Sequence, residues 1–245
     1  MEKKSQVYGI RAIIEAIEAG QPIQKVYLQK GLKGSLAKDL ETMLRKGGIS
    51  TSYVPVEKLN RLNRNNHQGA IANISPVPFA NFETLVESIV EQKKESFFLL
   101  LDHITDVRNF GAIIRTAECC GVDGIIIPKQ GSAPITEDTV KTSAGAAFKV
   151  PIAKVDHLKD ALFYLQSHNI TIIAATEKAN DDLFDLEISG PCAVIMGAED
   201  TGISPSILKA ANKRAKLPLM GSIGSLNVSV ACGVFLYEVV RQRWK

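Results

Sequence analysis

The stretch FFLLLDHITDVRNFGAIIRTAECCG, residues 97–121, joins two hydrophobic patterns. Residues 97–101 form an unbroken apolar run of strand length, whereas Ile113, Ile114 and Ala117 recur at helical spacing. Four polar residues, Asp102, Asp106, Asn109 and Arg115, lie between the end of the strand and the first turns of the helix. Downstream, Gly124–Ile127, Thr171–Ala175 and Ala193–Met196 are further short apolar runs separated by helical stretches. Fully apolar strands alternating with helices predict a mostly parallel sheet covered on both faces. Ligands of such sheets bind beyond the carboxyl ends of the strands.

Upstream, the pattern predicts a smaller α/β unit over residues 1–73. Ile10, Ile13, Ile14 and Ile17 give an amphipathic helix over residues 9–19 that stops at Gly20. A β-prone run at Ile23–Leu28 follows, then a helix over Ser35–Lys46 ended by Gly47 and Gly48. A strand near Ile49–Val54, a short helix through Lys58–Leu62 and a strand at Ala70–Ile74 complete the unit. SPVPFANF, residues 75–82, carries two prolines and no period, so residues 74–95 are expected to hold a linker and a connecting helix near Glu83–Lys94. The larger domain then spans residues 96–245.

The two parts differ in charge. Residues 1–73 hold 12 Lys and Arg against 6 Asp and Glu, a net +6, while the remainder holds 17 against 20, a net −3. A basic unit fits a polyanionic partner, because neutralised phosphates release counterions, and it also fits a lysine-rich solvated surface. RLNRNNHQG, residues 61–69, is open in the same way: a polar turn, or a surface that hydrogen-bonds RNA.

With 45% hydrophobic and 22% charged residues in 245, collagen-like, disordered and disulfide-scaffold proteins are excluded. Cys119, Cys120, Cys192 and Cys232 form no C-x-x-C pair, and His67, His103, His157 and His168 are scattered, so no metal site is expected and the cysteines read as reduced core residues. MEKKSQVYGIRA has no apolar signal-peptide stretch and no apolar run nears ~20 residues, so a cytoplasmic protein without membrane contact is expected.

Chemistry is expected in three loops. The first follows the strand at residues 97–101; Asn109 there is either a helix cap or a functional amide, Arg115 either solvated or functional, and Gly111 a place where backbone could approach a ligand. The second, GAEDTGIS at residues 197–204, is a Gly-rich turn holding Glu199. It lacks both G-x-x-x-x-G-K-[ST] and G-x-G-x-x-G, which argues against a nucleoside triphosphatase and an ordinary dinucleotide fold. The third is KLPLMGSIGSLNVSVACG, residues 216–233, where small residues crowd ahead of a helix that begins near Leu226 and reaches about Arg243, with Ser225 or Asn227 as its cap.

D-x-x-N-x-G-x-x-x-R-T-A at residues 106–117, M-G-A-E-x-x-G at 196–202 and L-P-x-x-G-x-x-x-S-L-N-V-S-V-A at 217–231 occur in that order. Together they resemble the SpoU-type branch of the SPOUT class of RNA 2'-O-ribose methyltransferases. GIRAIIEAI and HQGAIA resemble the ribosomal-protein-like RNA-binding unit that such enzymes often carry, so the resemblance spans nearly the whole chain. Val107 stands where the family usually has proline, which should loosen that loop.

The resemblance implies an α/β fold whose C-terminal parallel-sheet domain is tied in a deep trefoil knot, preceded by the small RNA-binding domain. It implies S-adenosylmethionine as cofactor, held by backbone around Gly197, Leu217 and Leu226 with Thr176 and Met220 nearby, and a homodimer. It assigns the chemistry to Asn109, Arg115, Glu199, Ser225 and Asn227. The implied substrate is a guanosine ribose in 23S ribosomal RNA, naked or in a large-subunit assembly intermediate. Transfer RNA, a resistance-type ribosomal adenosine and a non-catalytic RNA-binding assembly role are the alternatives.

Overall fold

The computed structural model describes residues 6–244; residues 1–5, part of the N-terminal stretch read above, lie outside the described residues. The chain divides into two compact units, one ending at Pro78 and including Pro134–Glu137, the other formed by Phe79–Ala133 and the residues from Asp138 onward.

The first unit runs β1 (Gln6–Tyr8), α1 (Ile10–Glu18), β2 (Ile23–Gln29), α2 (Ser35–Lys46), β3 (Thr51–Val54), α3 (Val56–Leu62) and β4 (Ala70–Ile74). Its sheet has the order β1-β4-β2-β3, antiparallel except for the β2–β3 pair. Alternation along β4 sends Ala70 and Ala72 to one face with Ile13, Val26, Leu40 and Leu44, and Ile71 to the other with Val54 and Leu59. The strand β1 was not legible because three residues carry no resolvable period. In RLNRNNHQG the histidine turns inward. His67 is buried, its Nε2 pairs with Asn60 Oδ1 at 2.9 Å and its Nδ1 accepts from the Gly69 amide at 3.0 Å, while Arg61, Arg64, Asn65 and Asn66 stay exposed. The segment is therefore a turn built around a histidine that leaves its cations at the surface.

The second unit runs α4 (Phe82–Gln92), β5 (Phe97–Asp102), α5 (Val107–Cys119), β6 (Gly124–Pro128), α6 (Glu137–Thr142), β7 (Ile152–Val155), α7 (Leu158–Ser167), β8 (Thr171–Ala175), β9 (Cys192–Gly197), α8 (Pro205–Ala210), β10 (Lys213–Ala215) and α9 (Val228–Arg243). Six strands form one parallel sheet of order β10-β8-β9-β5-β6-β7. Every residue of β5, β6 and β9 is buried, as the apolar runs predict. Each such Leu or Ile contributes ~1.5–3 kcal/mol of burial free energy.

Phe98 and Leu100 pack with α4, α7 and α8, whereas α5 packs against α9, which lies on β9. The neighbouring strands β5 and β9 are thus followed by helices in different layers, which makes their carboxyl ends the switch point of the sheet. Their register pairs Asp102 with Gly197 there. The strands β7 and β10 escaped the sequence reading, since IAKV and KRA are edge strands interrupted by charge. Ala80 covers the β7 edge, its amide donating to the Ile152 carbonyl at 2.9 Å.

One cysteine corrects the sequence reading. All four are free, but Cys119 is exposed rather than in the core. Burial pushes the Cys120 and Cys192 thiols up to about 11, so these two are inert core residues.

Candidate active site

At the carboxyl ends of β5 and β9 lies a cleft of ≈ 200 Å³ that opens to solvent, lined by His103, Asp106, Asn109, Glu199, Asp200 and Val228 among others. Two helices start at it. Asp106 caps α5, its Oδ1 accepting from the Arg108 amide at 2.9 Å and the Asn109 amide at 2.8 Å. Asn227 caps α9, its Oδ1 accepting from the Ser229 amide at 3.0 Å and the Ser229 hydroxyl at 2.6 Å. The cap of α5 is therefore Asp106 and not Asn109, and α9 starts at Val228 because Asn227 takes the cap.

Released from capping, the Asn109 side chain reaches across the sheet. Its Nδ2 donates to Glu199 Oε1 at 2.9 Å, and its Oδ1 accepts from Asn227 Nδ2 at 3.0 Å. Asn227 Nδ2 also donates to Glu199 Oε1 at 2.8 Å, and the Val228 amide approaches the same oxygen at 3.4 Å. One carboxylate oxygen thus ties together the three loops singled out in the sequence. No cation takes part; the charge is met by neutral amides and by the N-terminal end of α9.

The other two predicted catalytic residues stand apart from this cluster. Ser225 is exposed and makes no hydrogen bond among the described residues. Arg115 lies six residues after Asn109 on α5, ~9 Å along the helix and ~120° around it. It is exposed and its guanidinium has no partner among the described residues.

The glycines of the three loops have different surroundings. A Cβ on Gly111 would lie 2.7 Å from Thr142 Cβ, so backbone approaches α6 there and not a ligand. A Cβ on Gly197 would lie 2.2 Å from the Gly202 carbonyl carbon and the Ile203 nitrogen, so this glycine lets the loop after β9 close on itself. At Gly224 nothing lies within 4 Å.

Beside the cluster, the carboxyl ends of β8, β9 and β10 lead into Thr176, Gly197 and Leu217. The Thr176 amide donates to the Ala215 carbonyl at 2.9 Å. Beyond Lys216 the chain changes character: residues 217–226 make no hydrogen bond with the rest of the described chain. Met220 is 97% exposed and Ile223 78%, with Leu219 and Leu226 exposed as well. Free main-chain donors and acceptors next to uncovered apolar side chains fit a ligand with a flat heteroaromatic ring and an apolar edge. Among the described residues no group of three His, Cys, Asp or Glu side chains could hold a metal ion. Among the described residues no helix is long and apolar enough to cross a membrane.

Comparison with known proteins agrees with this geometry. The family model described as the SpoU rRNA methylase family matches residues 96–237, which includes all three loops. The chain belongs to the SpoU methylase family. A second model, RNA 2'-O ribose methyltransferase substrate binding, matches residues 6–80. The 23S rRNA (guanosine-2'-O-)-methyltransferase RlmB of Vibrio cholerae is 35% identical over 240 residues, 97% of this chain and 96% of RlmB. YacO of Bacillus subtilis, named for the TrmH family of tRNA/rRNA methyltransferases, is 31% identical over 242 residues, 99% of this chain and 97% of YacO. The SpoU methyltransferase AviRb of Streptomyces viridochromogenes, solved in complex with AdoMet, shares the fold. Its TM-score is 0.63 at 24% identity, over 98% of this chain and 90% of AviRb.

This SpoU methylase is accordingly an RNA 2'-O-ribose methyltransferase that depends on S-adenosylmethionine, and a deep trefoil knot is characteristic of its fold. The cofactor supplies an electrophilic methyl group, and the unbonded stretch 217–226 fits it. His103, which lines the cleft next to Asp102, was read in the sequence only as one of four scattered histidines. An Asp-His pair at the end of an apolar strand was the available signal.

Proposed function

We propose that this chain methylates the ribose 2'-oxygen of a guanosine in 23S ribosomal RNA, free or in a large-subunit assembly intermediate, in the cytoplasm. The observation that carries the reading is the 35% identity to a 23S guanosine enzyme over 97% of this chain, which takes in the small basic unit as well as the methylase. That unit, read as residues 1–73 and joined through residues 74–95 to the domain at 96–245, supplies RNA affinity through Arg61, Arg64 and the other cations of its +6 charge.

In this reading Asn109, Glu199 and Asn227 hold the rims of the cleft in one geometry, and Ser225 orients the nucleotide. The cofactor is held by main chain at Gly197, Leu217 and Leu226 with Thr176 and Met220 beside it. Arg115 grips the phosphate next to the reacting ribose and stabilises charge on its oxygen, as a guanidinium that never deprotonates.

The enzyme works as a homodimer. Val230, Gly233, Val234 and Tyr237 form an i, i+3, i+4, i+7 stripe on α9; Val230 is 53% and Tyr237 54% exposed. A second copy covering this stripe leaves Arg115 to act either in its own cleft or in the partner's.

Mapping of 2'-O-methyl groups in ribosomal and transfer RNA from a deletion strain tests the substrate. One missing mark at a 23S guanosine is expected; a missing mark in transfer RNA alone would overturn the assignment.

A further inference from the structure

We propose that His103 is the general base that takes the proton from the ribose 2'-hydroxyl. The assignment rests on ribose methylation as the reaction and deepens it, because Arg115 as a permanent cation leaves that proton without an acceptor.

The geometry is that of a held imidazole. His103 Nδ1 lies 2.6 Å from Asp102 Oδ1. Asp102 is 1% exposed, and its other oxygen accepts from the Ser204 amide at 2.6 Å, so the carboxylate is fixed at both ends. With a carboxylate on Nδ1, the ring carries its hydrogen there and presents Nε2 as a lone-pair acceptor. Nε2 has no hydrogen-bond partner among the described residues, and the side chain is 55% exposed at the cleft it lines with Asn109 and Glu199.

Backbone supports the placement. His103 has φ 61°, a left-handed conformation that costs an L residue ~1 kcal/mol. The ring packs on Gly131, where a Cβ would lie 2.5 Å from Cδ2 and 3.0 Å from Nε2. The charged groups facing the cleft with His103 are Asp106 at the start of α5 and Glu199 and Asp200 after β9, with Asp102 beneath; among the described residues no Lys or Arg lines it. Asp106 and Glu199 are occupied as acceptors of amide hydrogens.

In the step, the hydroxyl proton passes to His103 Nε2 as the 2'-oxygen bonds the methyl carbon, whose bond to the sulfonium sulfur breaks with the electron pair going to sulfur. The imidazolium, held at Nδ1–H by Asp102, then releases the proton to water.

Two variants test this. His103→Gly removes the ring and suits the left-handed backbone; His103→Asn also tolerates that backbone and can still donate to Asp102, but has no basic nitrogen. Single-turnover methylation of unmodified 23S rRNA and transfer RNA transcripts is measured against pH with cofactor and RNA saturating, beside calorimetry of cofactor binding and Tm. Both variants should keep cofactor affinity and Tm and lose ~10²-fold or more in rate at pH 7, with the wild-type rise of rate with pH flattened. Added imidazole should restore part of the rate to His103→Gly.

In the chain free of cofactor and RNA, long-range ¹H–¹⁵N spectra should show the Nδ1–H tautomer of His103; the Nε2–H tautomer would overturn the proposal. So would variant rates and pH profiles matching those of an active wild type. A wild type inactive on every transcript would instead sink the substrate reading, and the base with it.

Discussion

Asn227 Nδ2 stands 3.0 Å from Asn109 Oδ1 across 118 positions of sequence, and both amides converge on Glu199 Oε1. Glu199→Ala should therefore act on the rate far more than on stability. The cluster is open to water, which replaces the lost acceptor, so Tm should shift by no more than ~1 kcal/mol equivalent. Single-turnover methylation should fall ~10–100-fold, and the double variant with Asn109→Ala should fall by much less than the product of the single losses, a coupling of ~1–3 kcal/mol. Multiplicative losses would show that the three loops act independently.

Arg115→Ala should abolish most turnover while leaving cofactor binding intact, with ~3 kcal/mol lost from transition-state stabilisation. Arg115→Lys should rescue in part, since it restores charge without the planar fork that fits phosphate. If Arg115 serves the partner's cleft, mixing Arg115→Ala and Glu199→Ala chains restores one intact site in each mixed dimer, about a quarter of wild-type activity at equal amounts. Mixtures no more active than their components would place Arg115 in its own chain's site.

The glycines separate folding from binding. Gly197→Val should lower Tm and abolish cofactor binding together, because its side chain meets the backbone of Gly202 and Ile203 at 2.2 Å. Gly224→Val has open space, so it should keep Tm and still lose cofactor affinity. Calorimetry and thermal melts of the two variants check this; normal affinity in a stable Gly224→Val would place the cofactor elsewhere.

Lys154 offers a pH test unconnected with catalysis. Its ammonium lies 4.0 Å from the Phe79 ring centre with no hydrogen-bond partner among the described residues, and burial lowers its pKa from 10.5 to about 8. Between those values the unfolded chain holds a proton that the folded chain has released, so stability rises with pH across the window. Below pH 8 the folded chain bears the full cost of the charge. Lys154→Met should raise Tm at pH 7 by ~3–10 °C, equivalent to ~1–3 kcal/mol, and the gain should shrink towards pH 10.5. A gain equal at pH 7 and pH 10 would mean that charge burial is not its cause.

The amino-acid sequence by itself determined the parallel sheet, because FFLLL, GIII, TIIAA and CAVIM are too apolar to lie anywhere but between two layers of helices. It determined the amphipathic helices and the three loops, whose Gly, Asn, Asp and Ser content is local chemistry. Tertiary structure alone decided what those loops do. Asn109 could equally have capped its helix until Asp106 took the cap and freed it to meet Glu199, 90 positions away. Gly111 and Gly197 read as openings for a ligand, yet their missing side chains accommodate Thr142 and the turn at Gly202. His103 looked like one scattered histidine, and its pairing with Asp102 depends on a left-handed φ that no periodicity encodes. Local pattern is written in neighbouring residues, whereas a site at a sheet's switch point is assembled from loops that only the crossing of strands brings together.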